Sequence, residues 1–335
     1  MIIGPLNQCN LAECIDSVVE ISVNLLYLMS NCILYMGFRD FLHTTEEWVD
    51  EEGPIGMKYA INSAWMGVLR RSSSFFRAGT NVYERNWDLL IILDACRADA
   101  IEEVAEEYSF LDNPGTMRSA ASTSIEWMEQ TFTDGYSDEI ENTIYVTANP
   151  HSSSVSDLPF VDFEDVYNYG WNDRIGGIRA ETVTDVSINV GREHHGEYNR
   201  MIVHYMQPHF PSIPKPIGHG NKFDNVWKGL MIGRNNKDEV WKSYIANLRY
   251  VLDQVKLLLD NIDAQTVVIS ADHGNGIGEW GVYEHPVGIP TASVKTVPWY
   301  ITTASDEETY DPEEISVREV SEESTEQRLK SLGYL

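Results

Sequence analysis

Short unbroken apolar runs alternate with segments of helical period along most of this chain. Leu89 to Leu93 reads LLIIL, five apolar residues in a row, and a turn and a helix from about Ala98 follow it. A strand buried on both faces has this look, whereas a half-solvated strand alternates. NTIYV, RMIVHY, TVVIS and VKTVPWYITT repeat the pattern. Between the second and third of these strands from the end, Asp238 to Asp260 places Val240, Tyr244, Leu248, Val251, Val255 and Leu258 at helical spacing. Strand and helix in alternation predict an α/β fold, a doubly wound and mostly parallel sheet with helices on both faces. Residues 1–80 predict a helical N-terminal segment. In it Thr44 to Glu47 reads as a helix start, and an amphipathic run passes through Trp65 and Leu69 to Phe76. Residues 81–335 form the main domain, with an acidic tail near 305–326 and an apolar end, RLKSLGYL, suited to dock as a short helix.

Ile21 to Phe38 carries no charge over eighteen residues, which just reaches the length of a membrane span. Ser22, Asn24, Ser30 and Asn31 dilute it, so a buried or surface-lying helix fits better than a span, and peripheral membrane association through residues 21–38 stays open. Acidic residues precede it and no basic start is present, unlike a signal peptide. Four cysteines without a CxxC pair suggest a reducing, cytoplasmic setting, not a disulfide framework. The chain holds 52 acidic against 24 basic residues, a formal charge of -28. Such a field repels nucleic acid and suits a halophilic protein with a hydrated carboxylate surface.

Ligands of open α/β sheets bind beyond the carboxyl ends of the strands. Those ends here are rich in metal-ligand types: Asp94, Asn149-Pro150-His151, His204 with Pro208-His209 beyond it, and Asp272-His273 followed by His285. Asp94 follows LLIIL directly, so it suits either a helix cap or a metal ligand. Asp272-His273 joins a carboxylate to an imidazole, a pair suited to zinc or manganese. Gly274, Gly276 and Gly278 allow a close backbone return that would bring Glu279 and His285 to the same pocket. Ser122, Thr123 and Ser124 stand before a helix, where a hydroxyl either caps the helix or serves as a nucleophile next to an anion site. Prolines on both sides of His209 fix its backbone.

The order of these pieces resembles the alkaline phosphatase superfamily in its sulfatase-like branch, with the acidity pointing to a haloarchaeal type. LDACRAD is similar to that branch's Asp-x-x-Arg-x-Asp, QPHFP to its Pro-His-x-Pro, and SADHGNGIGEWGVYEHP to its Asp-His-Gly run with a later His; the likeness covers residues 86–335. It implies a hydrolase or transferase for phosphate or sulfate esters, working through a covalent intermediate on a metal-bound nucleophile. Its substrates would be glycan, lipid head group or surface-polymer units, and a hydrolase of esters is the expected enzyme class. By the resemblance Asp94, Thr123, Asp272 and His273 hold the metal. Thr123 is the nucleophile with Ser122 as its rival, and His209 acts on the leaving group. Arg97, His209 and His285 contact substrate. Ala95-Cys96 in place of a second acid, and Asn275 in place of a Glu, favour one divalent cation, Mn, Zn, Mg or Ca. Ile125 and the lack of the sulfatases' Pro and Arg leave the hydroxyl unmodified. The same departures suit a second reading, a catalytically inactive sulfatase-fold protein that binds an anionic glycan or a partner.

Overall fold

A computed structural model describes residues 41, 43–50, 53–76, 78–217 and 225–313. The apolar stretch 21–38 and the end RLKSLGYL lie outside them. The chain divides into two compact units, residues 1–64 and 65–335. In the first, residues 43–50 are helical and the Thr45 hydroxyl donates to the Phe41 carbonyl one turn back. Thr44 and Thr45 therefore sit within a helix and not at its start. Among the described residues, no helix is long and apolar enough to cross a membrane.

The second unit is built on seven strands. They are β1 (Leu89–Leu93), β2 (Thr116–Arg118), β3 (Thr143–Thr147), β4 (Asp162–Asp165), β5 (Arg200–Tyr205), β6 (Ala264–Ser270) and β7 (Thr296–Ala304). Their order across the sheet is β2-β7-β6-β1-β5-β3-β4. β1 runs parallel to β5 and β6, and β3 runs parallel to β5 and β4. β7 is antiparallel to β6 and to β2. The expected α/β sheet is thus present and mostly parallel. Every residue of β1 and of β3 is buried, as the unbroken apolar run of β1 requires for a strand covered on both faces. β2 and β4 escape a pattern-based reading because they are short and polar.

The helix Lys237–Leu259 buries Val240, Tyr244, Leu248, Val251, Val255 and Leu258, the face its period predicts. Asn236 caps it by accepting from the Asp238 and Glu239 amides. It packs against the helix Ala180–Glu193. Its Tyr244 reaches the turn after β1, where the hydroxyl donates to the Ala95 carbonyl at 2.6 Å and accepts from the Arg97 amide at 3.0 Å. Ala95 sits at φ 58°, a left-handed conformation that costs a non-glycine residue about 1 kcal/mol and needs such a clamp.

Because β1, β3, β5 and β6 share one direction, Asp94, Asn149, His204 and Asp272 come to one end of the sheet. Gly274 then lets the loop after β6 lie on the segment before β7. Its amide donates to the Val294 carbonyl at 2.7 Å, and a Cβ there would stand 2.3 Å from the Ser293 carbonyl oxygen. Gly274→Ala forces that backbone apart. The expected outcome is a loss of about 1–3 kcal/mol, read as a lower Tm in the presence of a chelator. An unchanged Tm would mean that the two segments are not in contact.

Candidate metal centre

Asp94 and Asp272 leave adjacent strands and are both wholly buried. Two ionised carboxylates so placed repel each other and lose hydration. The protein answers each differently. Asp272 Oδ1 accepts from the Ala95 amide at 3.0 Å and from the His273 amide at 2.8 Å. Burial works against its ionised form. His273, His204, Ser124 and the Ala95 amide outweigh that and hold its pKa below the usual carboxylate value. Asp94 receives one strong bond, from Asn149 Nδ2 at 2.8 Å. Burial and the negative charge of Asp272 push its pKa well above the usual value.

Asp94 Oδ1, Asp272 Oδ2 and His204 Nε2 are buried with no hydrogen-bond partner. Unsatisfied buried polar atoms are costly and rare, and here three converge. Ligand atoms of these three residues lie within 4.8 Å of one another. A carboxylate pair plus an imidazole is the donor set of a divalent cation, so the group can hold one. His273 borders it. Its Nε2 lies 3.3 Å from Asp272 Oδ2 and 3.8 Å from Asp94 Oδ1. Its Nδ1 meets the Gly274 carbonyl at 2.8 Å, which places the proton on Nδ1 and leaves the Nε2 lone pair facing the carboxylates. His204 is fixed in the same way from behind, with Nδ1 3.0 Å from the Tyr145 hydroxyl and its ring against Trp127. Its burial lowers its pKa to about 4, so it is neutral at neutral pH.

The hydroxyl at this centre is that of Ser124. Its Oγ donates to Asp94 Oδ2 at 3.4 Å and lies 3.3 Å from His273 Nε2. Ser124 opens the helix Ser124–Thr131, whose N-terminal end carries positive partial charge. Thr123 and Ser122 do different work. Thr123 is the N-cap, and its Oγ1 accepts from the Glu126 amide at 3.3 Å. Ser122 Oγ donates to Glu126 Oε2 at 2.7 Å and accepts from the Gly288 amide at 2.7 Å. A one-residue step in register separates a hydroxyl that faces the carboxylates from one that caps the helix, and the sequence does not fix that step.

His209 and His285 meet near the centre. Their Nε2 atoms are 3.1 Å apart, and the His285 ring centroid lies 4.3 Å from that of His273. His209 Nδ1 donates to the Phe210 carbonyl at 2.6 Å, so the short contact is a donation from His285 to His209. Burial lowers both pKa values, His209 to about 4 and His285 well below its usual value. The peptide bonds Gln207–Pro208 and Phe210–Pro211 on either side of His209 are cis.

Arg97 and Glu279 are brought together elsewhere. The guanidinium holds Asp99 through Nε and Nη2 at 2.8 and 2.6 Å, and donates from Nη1 to the Asn275 carbonyl at 2.7 Å. Glu279 lies 3.3 Å from Arg97 Nη1 and accepts from the Ile277 amide at 2.8 Å. The glycines therefore return His285 to the metal-ligand group, whereas Glu279 pairs with Arg97. Asn149 and His204 gave one cue in sequence, their place at strand ends.

No protein-family model matches the sequence, and no curated protein matches it. Among solved structures, the chain is similar to the integral membrane lipooligosaccharide phosphoethanolamine transferase A of Neisseria meningitidis, at 14% identity and a TM-score of 0.48. That match takes in 91% of this chain and 65% of the transferase, so this chain spans less than two thirds of its length. It is similar to the lipoteichoic acid synthase LtaP of Listeria monocytogenes at 13% identity and a TM-score of 0.39, over 67% of this chain and 66% of that one. It is also similar to an alkaline phosphatase superfamily protein of Vibrio parahaemolyticus at 13% identity and a TM-score of 0.39, over 73% and 69%. A 2-O GAG sulfatase is another of these structures. The Vibrio parahaemolyticus protein is of the superfamily that the motifs resemble.

The protonation of the pair sets the pH dependence of cation binding. Asp94 must lose its proton to serve as a ligand, and the imidazoles must stay neutral. All these equilibria act in one direction, so affinity for zinc falls as pH falls through the raised pKa of Asp94. Calorimetric titration in two buffers of different ionisation enthalpy is expected to show proton release on binding. A heat independent of buffer would show that Asp94 is already ionised or is not a ligand.

Proposed function

We propose that this protein transfers or hydrolyses phosphate esters, with Ser124 as the nucleophile and one divalent cation held by Asp94, Asp272, His273 and His204. The observation that carries this reading is the Ser124 hydroxyl within 3.4 Å of both Asp94 and His273, at a helix start and beside three unsatisfied buried ligand atoms. A bound cation would lower the pKa of the Ser124 hydroxyl and offset charge on the phosphoryl oxygens.

Ser124 Oγ gives up its proton to solvent, Asp94 staying ionised, and attacks phosphorus. The bond from phosphorus to the ester oxygen breaks, and the leaving alkoxide takes a proton from the His209–His285 pair. That leaves a phosphoserine. Water or a second alcohol then attacks the same phosphorus and loses its proton to the histidine pair, and the bond from phosphorus to Ser124 Oγ breaks, which returns Ser124 in the deprotonated form that began the cycle. His209 and His285 are neutral before the ester enters. An anionic phosphoryl group beside them raises both pKa values and favours their protonated, donating forms. The helix start at Ser124 presents backbone amides to the same anion.

The roles carried over from the resemblance change accordingly. Thr123 holds the helix end and Ser122 ties it to the loop after His285. Arg97 secures the loop of Asn275 and Glu279 and does not reach for the ester. The lipooligosaccharide and lipoteichoic acid in the names of the similar structures suggest a lipid or glycan ester for this chain.

Two substitutions separate the hydroxyls. Ser124→Ala is expected to lower turnover of a phosphate ester by roughly a thousandfold or more while metal content stays near one ion per chain. Thr123→Val removes only the cap, at about 1 kcal/mol of stability, and keeps most of the turnover. Metal analysis and a panel of phosphate and sulfate esters with Mn, Zn, Mg and Ca would decide. Full activity in Ser124→Ala would return the role to Thr123 or Ser122.

A further inference from the structure

We infer that the surface formed by Trp65, Val68, Phe75, Phe76, Trp280 and Val287 docks the catalytic unit on an anionic lipid bilayer. This rests on the reading above and narrows its substrate to an ester displayed at a membrane surface.

The first observation is a break in charge. From Gly53 to Tyr83 the sequence has no Asp or Glu, though 52 acids in 335 residues would place about five in such a length. Lys58, Arg70, Arg71 and Arg77 stand in that stretch. A basic island on a chain of charge -28 is complementary to anionic head groups, and the rest of the surface is repelled by them.

The second is what the same stretch exposes. The helix Pro54–Ser72 turns Met66 and Leu69 inward onto Val282, Ile289 and Val294. Trp65 and Val68 stay exposed on it, and Phe75 and Phe76 follow, Phe75 with 89% of its surface in water. Trp280 joins them at 77% exposure. Single exposed apolar residues are ordinary, but six large ones on one helix, just past its end and in the loop bonded to it mark an interaction surface. Tryptophan and phenylalanine beside arginine suit the boundary between head groups and acyl chains.

The third is how this surface is joined to the metal centre. Trp65 Nε1 donates to the Trp280 carbonyl at 2.7 Å, and Arg70 Nε donates to the Val287 carbonyl at 2.8 Å. Trp280 and Val287 bracket the segment that carries His285. Trp280 is held at φ 55°, a backbone conformation uncommon for a bulky residue, with its indole turned to water. The surface is thus bonded on both sides to the loop that carries His285.

The test uses the full chain with sedimenting vesicles in 0.1 M salt, of phosphatidylcholine alone or with a third phosphatidylglycerol. The wild type is expected to bind the anionic vesicles more tightly than the neutral ones. Phe75→Ser/Phe76→Ser/Trp280→Ser is expected to lose at least about tenfold of that partitioning, with its Tm and its turnover of a soluble ester kept. Asp272→Ala is expected to bind vesicles as the wild type does. Equal binding to both vesicles, or undiminished binding by the triple variant, overturns the inference. So does a wild-type dimer that the triple variant abolishes, which would give the surface to a second copy of the chain. Vesicle binding without turnover of any ester would count against the proposed reaction alone.

Discussion

Two carboxylates buried side by side at the ends of neighbouring strands impose the strongest constraint on this molecule. Left alone, Asp94 and Asp272 would share a proton and push the sheet apart at its ligand end. Most of the surrounding architecture answers that problem. Backbone amides of Ala95 and His273 settle on Asp272, and Asn149 settles on Asp94. The imidazoles of His204 and His273 face the oxygens that remain. A divalent cation can complete such a set, and its binding would then draw on the same electrostatic term as folding.

Much of this was legible in the sequence because β1 and the strand ends leave strong signals. LLIIL reads as a doubly covered strand, and the acid directly after it is drawn toward the core. The Asp-His pair after β6 follows the same logic. The period of the helix Lys237–Leu259 named its buried face residue by residue. The polar edge strands left no comparable pattern, since β4 is half-buried throughout and β2 pairs only with the antiparallel β7.

At the site itself, sequence reasoning stopped where direction began. Ser122, Thr123 and Ser124 are chemically alike, and only the angle at which the chain enters the helix decides which hydroxyl faces Asp94. Arg97 looked like an anion binder because its neighbours in the fold were unknown. Asp99, two residues on, occupies its fork, and Trp241 lies under its plane at 5.5 Å. His204 stood at a strand end like any buried histidine until Tyr145 behind it showed which nitrogen looks inward.

Ser122 has a consequence beyond its own bonds. Its hydroxyl joins Glu126 on the helix that begins at Ser124 to the Gly288 amide in the loop that follows His285. The segment from His285 to Gly288 is therefore a strut of fixed length between His285 and the helix start that carries Ser124. An insertion between Pro286 and Gly288 would move His285 and Ser124 relative to each other, so the length of this loop is fixed as long as Ser122 keeps both partners.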